Sequence, residues 1–227
     1  MISIITPIYN RTWQLARLIN KLPYLKINNP ELKLEWSICT NGSPQETLQI
    51  LEFGKLFLKS YNILTREISM PTPFGCATVP RINAIDNSNG EYLLFLDSDD
   101  FIIHSEKINL YKDDIGISSS YFIHPDDSCI KSNSDICFTS ETLDLLSKQN
   151  PIANSGTLIS RKLYDLTGGI DPSLTYCEDY DLWIKCAKQG AKFKPSNINV
   201  AIELHDTNAE KTLYDQTLVD RMKLSCK

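Results

Sequence analysis

The 227-residue chain carries 23 Lys and Arg against 28 Asp and Glu, a net charge of −5 with 42% hydrophobic residues, which describes an ordinary globular protein with no positive field for nucleic acid. Its seven cysteines, at 39, 76, 129, 137, 177, 186 and 226, are odd in number and contain no C-x-x-C pair, so a disulfide framework and a zinc site are both disfavoured and reduced thiols in the cytoplasm are expected. No apolar run approaches the roughly 20 residues that cross a bilayer, and no basic stretch followed by an apolar one opens the chain; neither a membrane span nor a signal peptide is expected, while peripheral membrane association stays open.

In chain order, Ile2 to Thr6 reads as a short buried strand closed by Pro7, with Pro7-Ile8-Tyr9-Asn10 as the turn leaving it. Trp13, Leu15, Leu18, Ile19 and Leu22 recur at helical spacing up to Pro23. Leu34 to Cys39 is a second strand and Asn41-Gly42-Ser43-Pro44 a turn. A helix from Gln45 to about Lys59 carries Leu48, Leu51 and Leu56 inward, and Asn62 to Ile68 is a third strand. Ser69 to Pro80, with three prolines, is a loop before a short helix from about Arg81 to Asn89. Strands alternating with helices imply parallel pairing, so their carboxyl ends converge on one edge.

Tyr92-Leu93-Leu94-Phe95-Leu96 is then an apolar run that ends in Asp97, Ser98, Asp99 and Asp100. A short apolar run bounded by Gly90 and acids fits a strand buried on both faces, with its carboxylates at the end where open α/β sheets bind ligands. Like charges so close repel one another unless a cation neutralises them, and hard oxygen donors suit Mg²⁺ or Mn²⁺. A solvated acidic turn is the plain alternative.

Beyond Asp100 the pattern is less regular. Ile115 to Ile123 reads as a strand, Pro125 to Ser134 as polar loop, Thr139 to Gln149 as a capped helix with Leu143 and Leu146 on one face, and Asn154 to Ser160 as a strand running into Arg161 to Leu166. Gly168-Gly169-Ile170-Asp171-Pro172 is a turn. Glu178 to Gln189 is a helix with Leu182, Trp183 and Ala187 inward, and its three first-turn acids are accounted for by the helix dipole alone. Ile198 to Leu204 is a last strand ending at His205, and Tyr214, Leu218 and Met222 share one face of a helix from Ala209 to Leu224.

Taken together, Ile2 to Asn10, Asn41-Gly42-Ser43, Gly90 to Asp100, Gly168 to Pro172 and Glu178 to Trp183 occur in an order and spacing that resembles the family-2 glycosyltransferases of the GT-A fold, across about residues 2 to 190. The resemblance implies an α/β fold: one GT-A domain over 1–227 with a mostly parallel twisted central sheet. Residues 1–100 would be a Rossmann-like half for the sugar nucleotide, 101–205 an acceptor half and 206–227 a C-terminal helix. It also implies inverting, metal-dependent transfer of a sugar from a nucleoside diphosphate, with UDP the expected carrier, to a hydroxyl acceptor such as a glycan or glycolipid. A nucleic-acid acceptor stays possible but is not favoured by the acidic charge.

By the same resemblance, Asp99 and Asp97 match the D-x-D acids that hold Mn²⁺ or Mg²⁺ and the nucleotide, with Ser98 between them, and His205 follows the last strand where relatives place a histidine near the metal. Pro7, Tyr9, Asn41 and Arg81 match positions around the nucleotide, and Glu178-Asp179 the pair that supplies the general base, Asp179 foremost and Glu178 in reserve. Two departures stand out. Thr40-Asn41 replaces the family's Asp-Asp, putting an amide where a carboxylate is expected to meet uracil, and Pro80-Arg81-Ile82-Asn83-Ala84 keeps only the arginine of Ala-Arg-Asn-x-Gly. A sugar-nucleotide-binding protein without catalysis and a nucleotidyltransferase are the competing readings. A base would be superfluous in the first, and the second would be expected to show a glycine-rich phosphate loop after the first strand, where Pro7 to Arg11 has no glycine.

Overall fold

The computed structural model describes residues 1–124, 128–131, 137 and 141–204. The proposed ligand His205 and the helix expected over 209–224 lie outside them.

The sheet begins with the apolar runs. β1 (Ile2–Ile8) and β2 (Leu34–Asn41) are buried along their whole lengths, and β4 (Tyr92–Phe95) along all but its first residue. With β3 (Ile63–Met70) they make a parallel block in which Ile4 pairs with both Trp36 and Leu94. Side chains alternate between faces, so strands buried along their whole length need cover on both sides. Ile2, Ile4, Trp36, Ile38 and Leu94 pack with α1 (Thr12–Lys21), α2 (Pro23–Asn28) and α3 (Gln45–Lys59) in one core. Ile5, Leu93 and Phe95 belong to a second core, which includes Ala84 and Ile85 of α4 (Thr78–Asp86).

The second half extends this sheet with both pairings. β5 (Phe101–Ser105), β6 (Ile115–Ile123), β8 (Leu158–Ser160) and β9 (Phe193–Glu203) complete the order β3-β2-β1-β4-β8-β6-β9-β5, with β7 (Cys129–Lys131) paired to β6. β8 runs antiparallel to β4, with Leu93 opposite Ile159, which brings the segment before it alongside Asp97. β9 is parallel to β6 and antiparallel to β5, and delivers Glu203 to the acidic turn. Among the described residues the second half also holds α5 (Thr142–Leu146), α6 (Arg161–Leu166) and the longer α7 (Glu178–Lys188).

Several expectations are corrected. Leu56 is 71% exposed and Trp13 59% exposed, because the buried stripe of α3 is Thr47, Leu51, Gly54 and Leu58 and that of α1 is Gln14, Leu15, Leu18 and Ile19. Leu56 lies two residues from Leu58, on the opposite side of a 3.6-residue turn. α4 begins at Thr78, ahead of the expected Arg81, because Pro80 falls in its first turn, where a missing N–H leaves no bond unmade. β9 begins at Phe193 instead of Ile198. Its register against β6 slips between Ile117 and Ser119, and this irregularity, with Asn197 at φ 65°, accommodates Pro195 inside the strand. β7 occupies part of the expected 125–134 loop as an exposed edge strand. β5, directly after the acids, was not expected at all.

Candidate active site

β1, β2 and β4 end on the same side of the parallel block. β1 leaves through Tyr9 and Asn10, which has φ 45°, and β2 passes into Gly42 at φ 64°. A Cβ on Gly42 would lie 2.6 Å from the Pro73 ring, so both its backbone angle and its contact with the 71–77 loop call for glycine. Between these ends lies a cleft of about 400 Å³, lined among others by Pro7, Tyr9, Asn41, Ser98 and both Asp97 and Asp99. Six residues proposed from sequence therefore share one wall system. Arg11 and Phe74 line it too, and nothing in the sequence reading singled them out.

Asn41 is 5% exposed and commits both ends of its amide to the opposite loop. Its nitrogen donates to the Phe74 carbonyl at 2.9 Å and its oxygen accepts from the Phe74 N–H at 2.7 Å. The amide is thus a clasp. A carboxylate at this position would have no proton to give the Phe74 carbonyl.

The three acids after β4 have three different surroundings. Asp100 is buried; it accepts from the Ser155 hydroxyl and, at 3.1 Å, from the Glu203 N–H. Burial, with the neighbouring Asp99 and Asp97 charges, pushes its carboxyl well above the usual range. Asp100 is therefore a structural tie between the turn, the segment before β8 and the end of β9. Asp99 faces the cleft, with the Arg11 guanidinium 3.3 Å from its carboxylate, while its carbonyl accepts from Arg17 at 2.8 Å. Arg17 in turn pairs with Glu203 and stacks on Phe101 and Trp13 at 4.2 and 4.9 Å. Exposed Trp13 thus has a partner that its apolar character did not suggest.

Asp97 accepts from Arg81 at 2.7 Å and from the Asn154 amide at 3.2 Å, and its own N–H donates to Ser155 at 3.0 Å. Arg81 is no surface arginine: it is 3% exposed and pairs on its other side with Glu178. Burial alone would lower its pKa, but the charges of Asp97 and Glu178 outweigh that and raise it. One buried guanidinium therefore joins the acidic turn after β4 to the first residue of α7.

α7 starts abruptly. Cys177, its N-cap, sits at φ 57°, turning the chain so that Glu178 and Asp179 enter the helix beside Arg81. Asp179 accepts from the Tyr180 N–H at 2.7 Å and from the Asn150 amide at 3.3 Å. Burial, then the Glu178 charge, pushes its carboxyl up to about 6 against the opposing pull of the Tyr180 N–H and Arg81. Such a group is poised to exchange a proton near neutrality. Asp181 instead pairs with Lys185 one turn on at 2.7 Å, and Trp183 is fully buried, edge-on to Phe95 at 5.6 Å between ring centres. Both belong to the scaffold.

Could these residues hold a divalent cation? Among the described residues no group of three or more His, Cys, Asp or Glu is arranged for one. The protein set is two hard carboxylates on the cleft wall, Asp97 and Asp99. That fits Mg²⁺ or Mn²⁺ held by one or two carboxylates together with substrate phosphates, the usual arrangement for Mg²⁺ in phosphate sites. Asp100, with its oxygens already taken, does not belong to the set.

Comparison with known proteins agrees with this architecture. Residues 3–112 match glycosyl transferase family 2. The poly(ribitol-phosphate) beta-N-acetylglucosaminyltransferase TarS of Staphylococcus aureus is 35% identical over 101 residues, 44% of this chain and 16% of TarS. The crystal structure of S. aureus TarS 1–349 in complex with UDP-GlcNAc superposes with a TM-score of 0.71 at 20% identity, over 99% of this chain and 66% of that one. A crystal structure of GalNAc-T7 with UDP, GalNAc and Mn²⁺ gives 0.63 at 15% identity, over 90% and 44%. The chain thus spans less than a fifth of curated TarS and about two thirds of the solved TarS fragment. The shared fold is GT-A.

Proposed function

Residues 3–112 match glycosyl transferase family 2, and from that match we propose that the chain is a transferase of this family that moves a sugar, with inversion, from a UDP-sugar to a hydroxyl of a glycan or glycolipid. Residues 1–100 bind the donor and 101–204 the acceptor. The observation that carries the reading is the buried Arg81, paired with Asp97 on the donor side and Glu178 on the base side, which holds two acidic clusters from distant parts of the sequence in one site.

The roles follow from chemistry. Tyr9 and Phe74 are exposed aromatic residues on the cleft wall and offer faces for a nucleobase, with Asn41 acting on it through the loop it clasps. Asp97 and Asp99 would hold Mg²⁺ or Mn²⁺ against the diphosphate; when bound, the cation supplies neutralisation of the charge that develops there. Arg11, beside Asp99, adds a fixed positive charge at the same wall. Asp179 accepts the proton of the acceptor hydroxyl as its oxygen bonds the anomeric carbon. The bond from that carbon to the diphosphate breaks, and its electron pair leaves with the nucleotide. A base is required in this displacement, and a carboxyl near pKa 6 is ionised at neutral pH yet basic enough to take a proton.

Free cysteines at 39, 76, 129, 137, 177 and 186 fit action in a reducing cytoplasm, and among the described residues no helix is long and apolar enough to cross a membrane. The test is incubation with a panel of sugar nucleotides with and without Mn²⁺. Metal-dependent release of the nucleoside diphosphate is expected; saturable binding without turnover under every condition would contradict catalysis.

A further inference from the structure

A second cavity, of about 220 Å³, lies in the second half between β6 and the segment that leads into β8. Its described lining includes the hydroxyl residues Ser118, Ser120 and Thr157, the half-buried ring of Phe122, and Asn150 with Ala153. No Asp, Glu, Lys, Arg or His is among its described lining residues. Three hydroxyls and an aromatic face in a neutral hollow match a ligand with hydroxyl groups and apolar ring faces but no charge.

Asn150 connects this hollow to the chemistry. It lines the cavity, and its amide nitrogen donates to the Asp179 carboxylate at 3.3 Å. Its amide oxygen is buried and has no hydrogen-bond partner among the described residues. A buried acceptor left unmatched is costly, and a ligand donor is one way to satisfy it. A hydroxyl reaching that oxygen from the cavity would lie beside the carboxylate that Asn150 already contacts. The same segment supplies Asn154 and Ser155 to Asp97 and Asp100, so the cavity wall is tied to both acidic clusters.

We propose that this cavity, through Asn150, is the seat of the acceptor's terminal unit, and that the unit is an uncharged sugar or polyol whose reacting hydroxyl donates to Asn150 Oδ1 before its proton passes to Asp179. The proposal rests on the transferase reading above and adds to it the chemical class of the acceptor and the residues that select it. Phe122 packs on the ring face, the hydroxyl oxygens of Ser118 and Thr157, whose protons go to the Ser155 and Ala153 carbonyls, accept from ring hydroxyls, and the absence of a cation in the described lining leaves an acidic sugar without a counter-charge.

The test uses ligand-observed saturation-transfer NMR on the full chain with UDP and Mg²⁺, which is diamagnetic and leaves the ligand signals sharp. Its probes are the methyl glycosides of glucose, galactose and N-acetylglucosamine, with methyl glucuronide as the charged counterpart. At least one neutral glycoside should show saturable transfer, and glucuronide should be at least tenfold weaker. Ala153→Leu, which fills the cavity, should abolish the glycoside signal while leaving the UDP signal unchanged. Phe122→Leu, which keeps the strand and removes the ring, should weaken the glycoside at least fivefold and serves if the first variant does not fold. Glycoside binding unchanged in the variants, preference for glucuronide, or UDP binding with no neutral glycoside bound would each overturn the proposal. Loss of the UDP signal in the wild-type protein would instead overturn the donor assignment on which it rests.

Discussion

The two acidic clusters, Asp97-Ser98-Asp99-Asp100 after β4 and Glu178-Asp179-Tyr180-Asp181 at the start of α7, look alike in sequence and are sorted by the fold into different tasks. In each, one carboxylate is consumed by structure: Asp100 by Ser155 and the Glu203 N–H, Asp181 by Lys185. In each, one is held by Arg81: Asp97 and Glu178. What remains differs. Asp99, with the Arg11 guanidinium beside it at the rim, faces an open cleft suited to a cation and phosphates, whereas half-buried Asp179 has its proton affinity raised. An acidic motif thus states a local charge, and its surroundings decide whether that charge binds, titrates or ties the fold together.

The sharpest way to break the contrast is Asp179→Asn. The change keeps the shape and removes the base, so transfer should fall by about 10²–10⁴, the usual contribution of general base catalysis. Affinity for UDP should stay within about twofold of wild type; a variant that transfers at the wild-type rate would move the base elsewhere. Next in size is Arg81→Met, which leaves Asp97 and Glu178 as unpaired carboxylates around an apolar side chain. Breaking a buried pair from one side costs about 3–5 kcal/mol, measurable as a lower midpoint in urea unfolding. Replacement without loss of stability would show that the bridge does not hold the clusters together.

A smaller effect tests the electrostatics directly. With Asp179 near 6, the ionised base is lost as pH falls through that value, so kcat/KM should drop on the acid side with an apparent pKa of about 6. The Glu178 charge is the second cause of that raised value, after burial. Glu178→Gln removes a negative neighbour and should shift the acid limb to lower pH, and an unmoved limb would separate Asp179 from the titration. Smallest at the active site but plain in the scaffold is the pair Leu51→Ala and Leu56→Ala. The fully buried residue should cost about 2–5 kcal/mol and the exposed one less than about 0.5 kcal/mol by thermal or urea denaturation.

Three strands of the parallel block were legible because they are buried on both faces and so read as runs rich in large apolar residues, Ile2 to Ile5, Leu34 to Cys39 and Tyr92 to Leu96, with only the buried Ser3, Glu35 and Ser37 interrupting them. The second half was less so. β5 begins directly after three acids and holds His104, β7 is an exposed three-residue edge, and Pro195 masks the start of β9. Their pairing is set by neighbours distant in sequence, and local pattern carries little of that. At the site, Tyr9, Asn41, Asp97, Asp99 and Asp179 were marked by motif, but their partners were not. Asn150, Asn154, Arg11 and Arg17 are ordinary polar residues until β8, α1 and β9 bring them to the acids. Leu56 and Trp13 show the opposite error: apolar character suggested burial, and helix phase decided otherwise.

The division of labour between the two clusters is tested most directly by calorimetric titration of UDP, in the presence of Mn²⁺, into the wild-type protein, Asp99→Asn and Asp179→Asn. The account predicts matching affinities for wild type and Asp179→Asn, and at least tenfold weaker, metal-insensitive binding for Asp99→Asn. Metal-dependent UDP binding that survives intact in Asp99→Asn, or that is lost in Asp179→Asn, would contradict it.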